Sequence, residues 1–455
     1  MSKTIDQWSL GYYLLQCYSN LHYRCYFKKI YINNPANMPR NESVILAANH
    51  QNALIDALAF VYSTKCQPVF LARADIFKGR FLIRLLTYIN ISPIYRMRDG
   101  ASSVKKNDEV FDITLSVLKN KINPLGMFPE GSHSDKRRLR PLKKGIFRIA
   151  FMAQEEYKNN PGVKIVPVGI DYSHYQNYKS TLFINYGAPI EVSEYYDLYT
   201  ENNNQAVNNL REKLSKEISE LIIDIQTEEY YDLYQNLRIV YNADMRKKLK
   251  INGNTLLDRF NADKKMISVL DKYRSKNPDE INSLSKKMQT FTEGLKNLNL
   301  RDWVLRKEKY PFLTRILESF LLILLSPVQI LGLINNYIPY KIPAQYIRKI
   351  KDLQFHSSFK FVLGMLIFPV YYIILIVLAQ IFIDPIWLKL AYFVSIPLTG
   401  IFTFPYYIRL KKLNAKFRYS RLIRIKDKRI LQLKALRKDI IASMNKITEY
   451  NANLI

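Results

Sequence analysis

The chain has 455 residues, and its 68 Lys and Arg outnumber its 39 Asp and Glu, giving a net charge of +29. Hydrophobic residues make up 48% of it, which excludes a disordered protein and allows two to four units of roughly 150 residues each. The charge indicates an anionic partner such as nucleic acid, an anionic membrane or a phosphorylated substrate. Three widely spaced cysteines (Cys17, Cys25 and Cys66) exclude a disulfide framework, and a Cys/His zinc site is not expected; a reducing, cytoplasm-facing compartment fits best.

The first 30 residues do not resemble a signal peptide. Residues 8–27 are rich in Tyr and Leu, but polar side chains such as Gln16 and His22 interrupt them, so the segment is too polar to span a bilayer. We interpret residues 1–30 as an interfacial helix. A helix docked on the soluble domain is the alternative.

Residues 31–195 alternate strand-like and helical patterns. Short apolar runs begin at Ser43, Pro68, Pro124, Lys164 and Leu182. Helical stretches separate them at residues 53–64, 104–119 and 145–156. This alternation is typical of an α/β fold, a mostly parallel sheet flanked by helices.

Residues 196–310 have a different sequence pattern from the α/β region before them. Apolar residues recur there at spacings of 4, 4, 3 and 4, which predicts an amphipathic helix. They are Leu210, Leu214, Ile218, Leu221 and Ile225. No strand pattern follows, so we expect a helical insert.

Two apolar stretches near the C-terminus predict a transmembrane helical hairpin over residues 361–408. Residues 361–383 and 386–408 each exceed the roughly 20 residues that a spanning helix needs, and Asp384 and Pro385 break them. Basic residues cluster in residues 335–360 and again after residue 408, so both flanks are expected on the cytoplasmic side. A third apolar run within residues 311–350 contains Glu318 and Gln329, and we interpret it as membrane-associated or re-entrant. Residues 409–455 form a basic amphipathic tail that either lies on anionic lipid or ends as a solvated helix.

One histidine and one aspartate form the first candidate site. His50 follows the strand that begins at Ser43, and Asp56 falls in the first turn of the next helix. A carboxylate that accepts one imidazole proton leaves the other ring nitrogen free to remove a proton from a hydroxyl. A purely structural hydrogen bond between the two side chains is the alternative.

A turn followed by a run of basic residues forms the second candidate site. Phe128, Pro129, Glu130, Gly131 and Ser132 follow a strand, and six Lys or Arg lie in residues 136–144. Arg96 lies between the two motifs. Arginines and lysines near a histidine base would hold a phosphate by charge-assisted hydrogen bonds. A solvated or nucleic-acid-binding surface is the alternative.

These motifs are followed along the chain by residues 163–169, which include Pro167. In this order, they resemble the motifs of the glycerolipid acyltransferase family. The family contains glycerol-3-phosphate and 1-acyl-glycerol-3-phosphate acyltransferases. Its first motif has four residues between His and Asp, whereas this chain has five, which is similar to the fungal-type glycerol-3-phosphate and dihydroxyacetone-phosphate subgroup. The resemblance covers about residues 40–190 and extends weakly to the hairpin.

The resemblance implies transfer of an acyl group from acyl-CoA or acyl-carrier protein to glycerol-3-phosphate or lysophosphatidate. His50 would be the base and Asp56 its orienting partner. It further implies a substrate site, no metal and no cofactor beyond the thioester cosubstrate. The implied substrate-binding residues are Arg96, Glu130, Gly131, Ser132, Lys143 and Pro167.

The expected protein is therefore integral to the membrane, has its active site facing the cytoplasm and binds membrane lipid but no nucleic acid. Two alternatives stay open: an acyltransferase acting on another lysolipid or an amino-acid lipid, and a non-catalytic, membrane-tethered polyanion binder. Salt-sensitive binding to any polyanion would favour the latter, which gives no reason for the His50–Asp56 pair.

Overall fold

The computed structural model describes residues 7–95, 107–157 and 162–452. Its contacts divide the chain into two units. Unit 1 consists of Met1–Asp224 and Gln345–Met365, and unit 2 consists of Ile225–Ala344 and Leu366–Ile455.

Unit 1 is built on one sheet, which has eight strands among the described residues. They are β1 (Lys29–Asn33), β2 (Ser43–Ala48), β3 (Val69–Arg73), β4 (Ile91–Ile94), β5 (Leu125–Met127), β6 (Val163–Tyr172), β7 (Thr181–Tyr186) and β8 (Ile190–Glu191). Their order is β1-β7-β6-β2-β5-β3-β4, and β8 pairs with β6. The pairings are parallel except those of β6 with β7 and β8. The predicted, mostly parallel α/β sheet is confirmed.

Strand β2 occupies the middle of the sheet, between β5 and β6, and every one of its residues is buried. Ile45 and Ala47 contribute to one hydrophobic cluster, whereas Leu46 and Ala48 contribute to another. Successive side chains of a strand point to opposite faces, so β2 supplies the core on both sides of the sheet. This explains why it appears in the sequence as a continuous apolar run.

Helices cover both faces of this sheet. In unit 1 they are α1 (Leu10–Tyr26), α2 (Leu54–Thr64), α3 (Arg80–Tyr88), α4 (Asn107–Asn120), α5 (Gly145–Glu156), α6 (Tyr196–Glu201) and α7 (Asn203–Leu221). α1 and α2 share a core with Leu46, whereas α5 and α7 pack with Ile45. Helices therefore cover the central strand β2 on both faces of the sheet.

The predicted stripe at residues 210–225 begins on α7. Leu210, Leu214 and Ile218 are fully buried against the sheet. A Cβ on Gly169 of β6 would lie 2.1 Å from the carbonyl oxygen of Leu221. Only glycine lets the end of α7 approach the strand so closely.

Unit 2 consists of helices joined by short loops, with no strand among its described residues. Its elements are α8 (Tyr231–Lys248), α9 (Leu256–Arg274), α10 (Pro278–Asn297), α11 (Asp302–Leu305), α12 (Phe312–Leu324), α13 (Ser326–Tyr346), the end of α14 (His356–Phe382), α15 (Ile386–Arg424) and α16 (Lys428–Ala452). The predicted amphipathic tail has an apolar stripe that includes Leu433, Ile440, Met444 and Ile447, and these four residues are buried. Leu433 approaches Gly294 of α10. The stripe thus packs among helices of unit 2, which neither interpretation of the tail had anticipated.

Among the described residues, two segments are long and apolar enough to cross a membrane, Leu353–Phe382 and Ile386–Arg424. They correspond to the two helices of the predicted hairpin, and the second continues well beyond residue 408. The helices α12 and α13 form an apolar pair that bends by 50° at its break. The Asn336 amide of α13 donates to the Ile396 carbonyl at 3.1 Å, and Tyr372 donates to Asn336 at 2.6 Å. These bonds join α13 to both apolar helices inside unit 2.

Candidate active site

The carboxyl end of β2 carries His50, and the first turn of α2 carries Asp56. His50 Nδ1 lies 3.0 Å from Asp56 Oδ2. The Asp56 side chain is fully buried, whereas that of His50 is 17% exposed. An Nδ1 proton shared with Asp56 leaves Nε2 as the hydrogen-bond acceptor of the ring. This arrangement can serve a general base, and that role stays a prediction.

Asp56 is held by further donors. The backbone amides of Gln51 and Asn52 donate to Oδ2 at 2.8 and 2.7 Å, and the Tyr172 hydroxyl donates to Oδ1 at 2.6 Å. A buried carboxylate is tolerated only when such bonds replace its hydration. Burial, and then the charge of Asp56, raise the pKa of Tyr172 well above its usual value, so the phenol keeps the proton that it donates. Sequence reasoning did not identify Tyr172.

The loop of residues 49–53, which we call the catalytic loop after the predicted role of His50, is anchored at both ends. The Asn49 side chain donates to the Ile170 carbonyl at 2.9 Å and accepts from the Ile170 amide at 2.8 Å. These two bonds tie the loop to β6, beyond the end of β2. At the other end Ala53 adopts φ 45° and ψ −123°, a conformation that a residue with a Cβ rarely takes. The surrounding bonds must hold this turn in place.

Glu130 lies beneath the loop and is almost fully buried. Its carboxylate accepts from the His50 amide at 2.7 Å, and from Arg140 Nε at 3.0 Å and the Arg140 amide at 3.2 Å. Burial raises the pKa of Glu130, and these hydrogen bonds partly offset the rise. Glu130 therefore fixes both the backbone of His50 and the guanidinium of Arg140.

Arg140 also reaches the turn that follows β5. Its Nη1 donates to Ser132 Oγ at 2.8 Å, while its buried Nη2 has no hydrogen-bond partner among the described residues. Gly131, Ser132 and Lys143 are exposed around it. Gly131 has φ +70°, and a Cβ there would approach the stem of Lys143 at 3.2 Å. The turn thus presents cationic and hydroxyl groups at the surface.

Two rings surround the His50 imidazole. Phe128 stacks on it with ring centroids 4.2 Å apart, and His133 meets it edge-on at 5.4 Å. Burial, and then the nearby His50, lower the pKa of His133. Residues 128–132 predicted a turn after a strand, but nothing in them identified the next residue, His133, as a neighbour of the His50 ring.

Two predicted residues are not part of this described group. Pro167 is buried within β6, opposite Ala47 of β2. Arg96 lies outside the described residues. The structure therefore brings together His50, Asp56, Glu130 and Ser132, adds Arg140 and Tyr172 to them, and keeps Pro167 inside the sheet.

Residues 29–171 match the sequence model of the Acyltransferase family. Glycerol-3-phosphate O-acyltransferase 1 of Saccharomyces cerevisiae is 29% identical over 195 residues, which cover 42% of this chain and 24% of the yeast protein. Glycerol-3-phosphate O-acyltransferase 2 of the same yeast is 31% identical over 115 residues, covering 25% of this chain and 15% of the relative. The matches thus span less than a quarter of the length of either yeast protein.

Among solved structures, the 1-acyl-sn-glycerophosphate (LPA) acyltransferase of Thermotoga maritima shares 17% identity with a TM-score of 0.33. The alignment covers 46% of this chain and 78% of that chain. The family match includes β2, the catalytic loop, the Glu130 turn and most of β6. Through residues 29–171, which match the Acyltransferase family model, this chain is therefore similar to the two yeast glycerol-3-phosphate O-acyltransferases.

Proposed function

We propose that this protein is a membrane-bound O-acyltransferase that moves a fatty acyl group from an acyl thioester to a hydroxyl of glycerol-3-phosphate or 1-acyl-glycerol-3-phosphate. The observation that carries the proposal is the His50–Asp56 hydrogen bond at the carboxyl end of the central strand β2, inside a region that matches the Acyltransferase family model. The cationic turn beside it suits an anionic acceptor.

In the proposed reaction His50 Nε2 removes the proton of the acceptor hydroxyl as its oxygen attacks the thioester carbonyl. The resulting imidazolium is stabilised by Asp56. Collapse of the tetrahedral intermediate breaks the carbon–sulfur bond, and the thiolate leaves with the proton held by His50. The products are the ester and a free thiol, and the base is regenerated. General-base assistance of this kind contributes roughly 10²-fold to 10⁴-fold in rate.

Arg140 and the turn at Gly131 and Ser132 are the proposed binding site for the acceptor phosphate. The unpartnered Nη2 of Arg140 can form a charge-assisted bond with a phosphate oxygen. Lys143 and Arg96 would add positive charge, and Pro167 would border the acyl side. Because Glu130 already holds the guanidinium in place, the Arg140 side chain would lose little conformational entropy when it binds the phosphate.

Membrane association is supported by the surface of unit 1 as well as by the apolar helices of the hairpin. One face of α1, including Tyr12 and Tyr23, is buried, while Leu14 and Leu21 on another face are 61% and 62% exposed. Phe81 of α3 is 81% exposed. Such apolar side chains fit a membrane interface. We propose that the active site faces the cytoplasm, where acyl thioesters are found.

The test is an assay of the purified chain in lipid nanodiscs. Glycerol-3-phosphate and 1-acyl-glycerol-3-phosphate are each combined with acyl-CoA and with acyl-carrier protein, and ester formation and free thiol are both measured. We expect one acceptor to be used with thiol released in equal amount. No ester from any combination, with protein that remains folded, would overturn the proposal.

Orientation is tested separately in sealed vesicles. A cysteine at position 202, in a chain whose three native cysteines are replaced, should react with an impermeant reagent from the cytoplasmic side. Reaction only after the vesicles are opened would contradict the cytoplasmic orientation.

A further inference from the structure

The first apolar helix begins inside the catalytic unit. The segment Gln345–Met365 belongs to unit 1, although the 120 residues of Ile225–Ala344 separate it in sequence from the rest of that unit. We call residues 353–361 the junction, since α14 starts there. Phe361 is buried in the core that α1 and α2 share with the sheet. The junction is thus packed into the acyltransferase domain.

Ser358 of the junction contacts the catalytic loop directly. Its Oγ accepts from the Leu54 amide at 3.1 Å and lies 3.4 Å from the Asn52 carbonyl, to which it donates. The side chain is buried. These two bonds bracket Ala53, the residue with the strained backbone.

The Ser358 hydroxyl supplies a hydrogen-bond acceptor that the N-terminus of α2 lacks in its own N-cap residue. The first amides of a helix lack partners within the helix, and a Ser, Thr, Asp or Asn at the N-cap normally accepts one of them. Ala53 occupies the N-cap of α2 and has no such side chain. The hydroxyl of Ser358 takes that place for Leu54, from 304 residues away.

Further bonds hold the junction beside the same loop. Ser357 Oγ donates to the Tyr175 carbonyl at 2.5 Å, and the side-chain amide of Asn52 donates to that same carbonyl at 3.0 Å. The Tyr175 hydroxyl donates to Gln51 Oε1 at 2.6 Å. Gln51 and Asn52 are the residues whose backbone amides bind Asp56. Displacing the junction would therefore shift the donors that hold Asp56.

We propose that Ser358 is a positioning residue for the His50–Asp56 pair, so that the start of the first apolar helix is part of the active site. It keeps the turn at Ala53 closed, which fixes the Asn52 amide against Asp56 and thereby the imidazole of His50. It does not contact substrate. The role in turnover rests on the proposed acyl transfer, whereas the effect on the loop does not.

The test compares Ser358→Ala with Ser63→Ala in nanodiscs. Ser63 lies near the other end of α2, where its hydroxyl bonds Ala59 and Tyr186, so its loss removes a comparable bond away from the catalytic loop. We expect Ser358→Ala to lower kcat between about 10-fold and 100-fold, as small misplacements of reacting groups do, with KM for the acceptor little changed. Ser63→Ala should keep its kcat. Ser358→Thr, which retains a hydroxyl, should recover part of the loss.

Hydrogen–deuterium exchange of the peptide that contains residues 50–56 gives a measurement independent of activity. It should exchange faster in Ser358→Ala than in the natural chain or in Ser63→Ala. Unchanged exchange in this peptide, or a kcat loss equally large in Ser63→Ala, would overturn the proposal. A natural chain without acyl transfer would instead refute the proposed function, and the exchange comparison would still decide whether Ser358 holds the loop.

Discussion

The hydroxyl of Tyr172 offers a sensitive test of the site, because it reaches Asp56 from a different part of the chain. Tyr172→Phe removes the donor to Asp56 Oδ1 and keeps the ring, which packs against Phe27 with centroids 6.0 Å apart. Asp56 retains its contacts with His50, Gln51 and Asn52 but loses its donor on Oδ1.

The size of the effect follows from the environment. A hydrogen bond to a buried charged group contributes about 1.5–3 kcal/mol, and removing it leaves Oδ1 desolvated. We expect the free energy of unfolding to fall by about 2 kcal/mol. If part of that loss appears as disorder of the His50–Asp56 pair, kcat should fall about 10-fold, which corresponds to about 1.4 kcal/mol in the activation barrier.

Tyr186→Phe is the matched control. Tyr186 is another fully buried tyrosine of the same sheet, and its hydroxyl bonds Ser63 instead of Asp56. Thermal unfolding and steady-state acyl transfer are measured for both variants. Both should lose stability, and only Tyr172→Phe should lose turnover. A normal kcat in Tyr172→Phe, or an equal loss in Tyr186→Phe, would refute the reasoning.

Other substitutions probe the pair, the packing and the pH response. His50→Ala should lower the acyl-transfer rate roughly 10²-fold to 10⁴-fold, and adding Asp56→Asn should cost little more, because the two act as a unit; additive losses would contradict this. Gly169→Ala would place a Cβ 2.1 Å from the Leu221 carbonyl oxygen and should lower the free energy of unfolding by about 1–3 kcal/mol. Gly145→Ala, where a Cβ would have open space around it, should leave that free energy nearly unchanged in the same denaturation experiment. Burial lowers the pKa of His22 to about 4, so between pH 7 and pH 5 this side chain becomes protonated in the unfolded chain but stays neutral in the folded chain. The free energy of unfolding should therefore fall by about 2 kcal/mol over that range. His22→Gln should remove this part of the pH dependence of the unfolding midpoint.

The parts of the fold that could be predicted are those whose signal is local. Strands β2 and β6 lie in the interior of the sheet, and each contains a continuous apolar stretch, Val44–Ala48 in β2 and Ile165–Ile170 in β6. β1, at one edge, mixes Lys29 and Asn33 with two isoleucines, and β4, at the other edge, contains Pro93, which is tolerated at a sheet edge. Neither strand was predicted, because edge strands need less apolar surface.

The candidate site likewise combines a contact between residues close in sequence, which could be predicted, with contacts between distant residues, which could not. His50 and Asp56 are separated by one strand-to-helix turn, so their spacing alone suggested a contact, and the hydrogen bond is present. Tyr172 reaches Asp56 across 116 residues, and Ser358 reaches Leu54 across 304. No periodicity or short motif encodes such pairs, since they depend on how β6 and the junction pack against β2 and α2.

The long-range contacts also bear on how the site can form. Asp56 is a buried carboxylate whose donors come from the catalytic loop and from β6, while the turn at Ala53 is held by the junction. A strained turn persists only where its surroundings over-determine it, and an uncompensated buried charge is strongly unfavourable. Neither the loop alone nor the loop and sheet without the junction meets both conditions. With Ser358 in its proposed positioning role, the geometry of the His50–Asp56 pair depends on the start of the first apolar helix, so we expect correct packing of that helix and formation of the active site to be coupled.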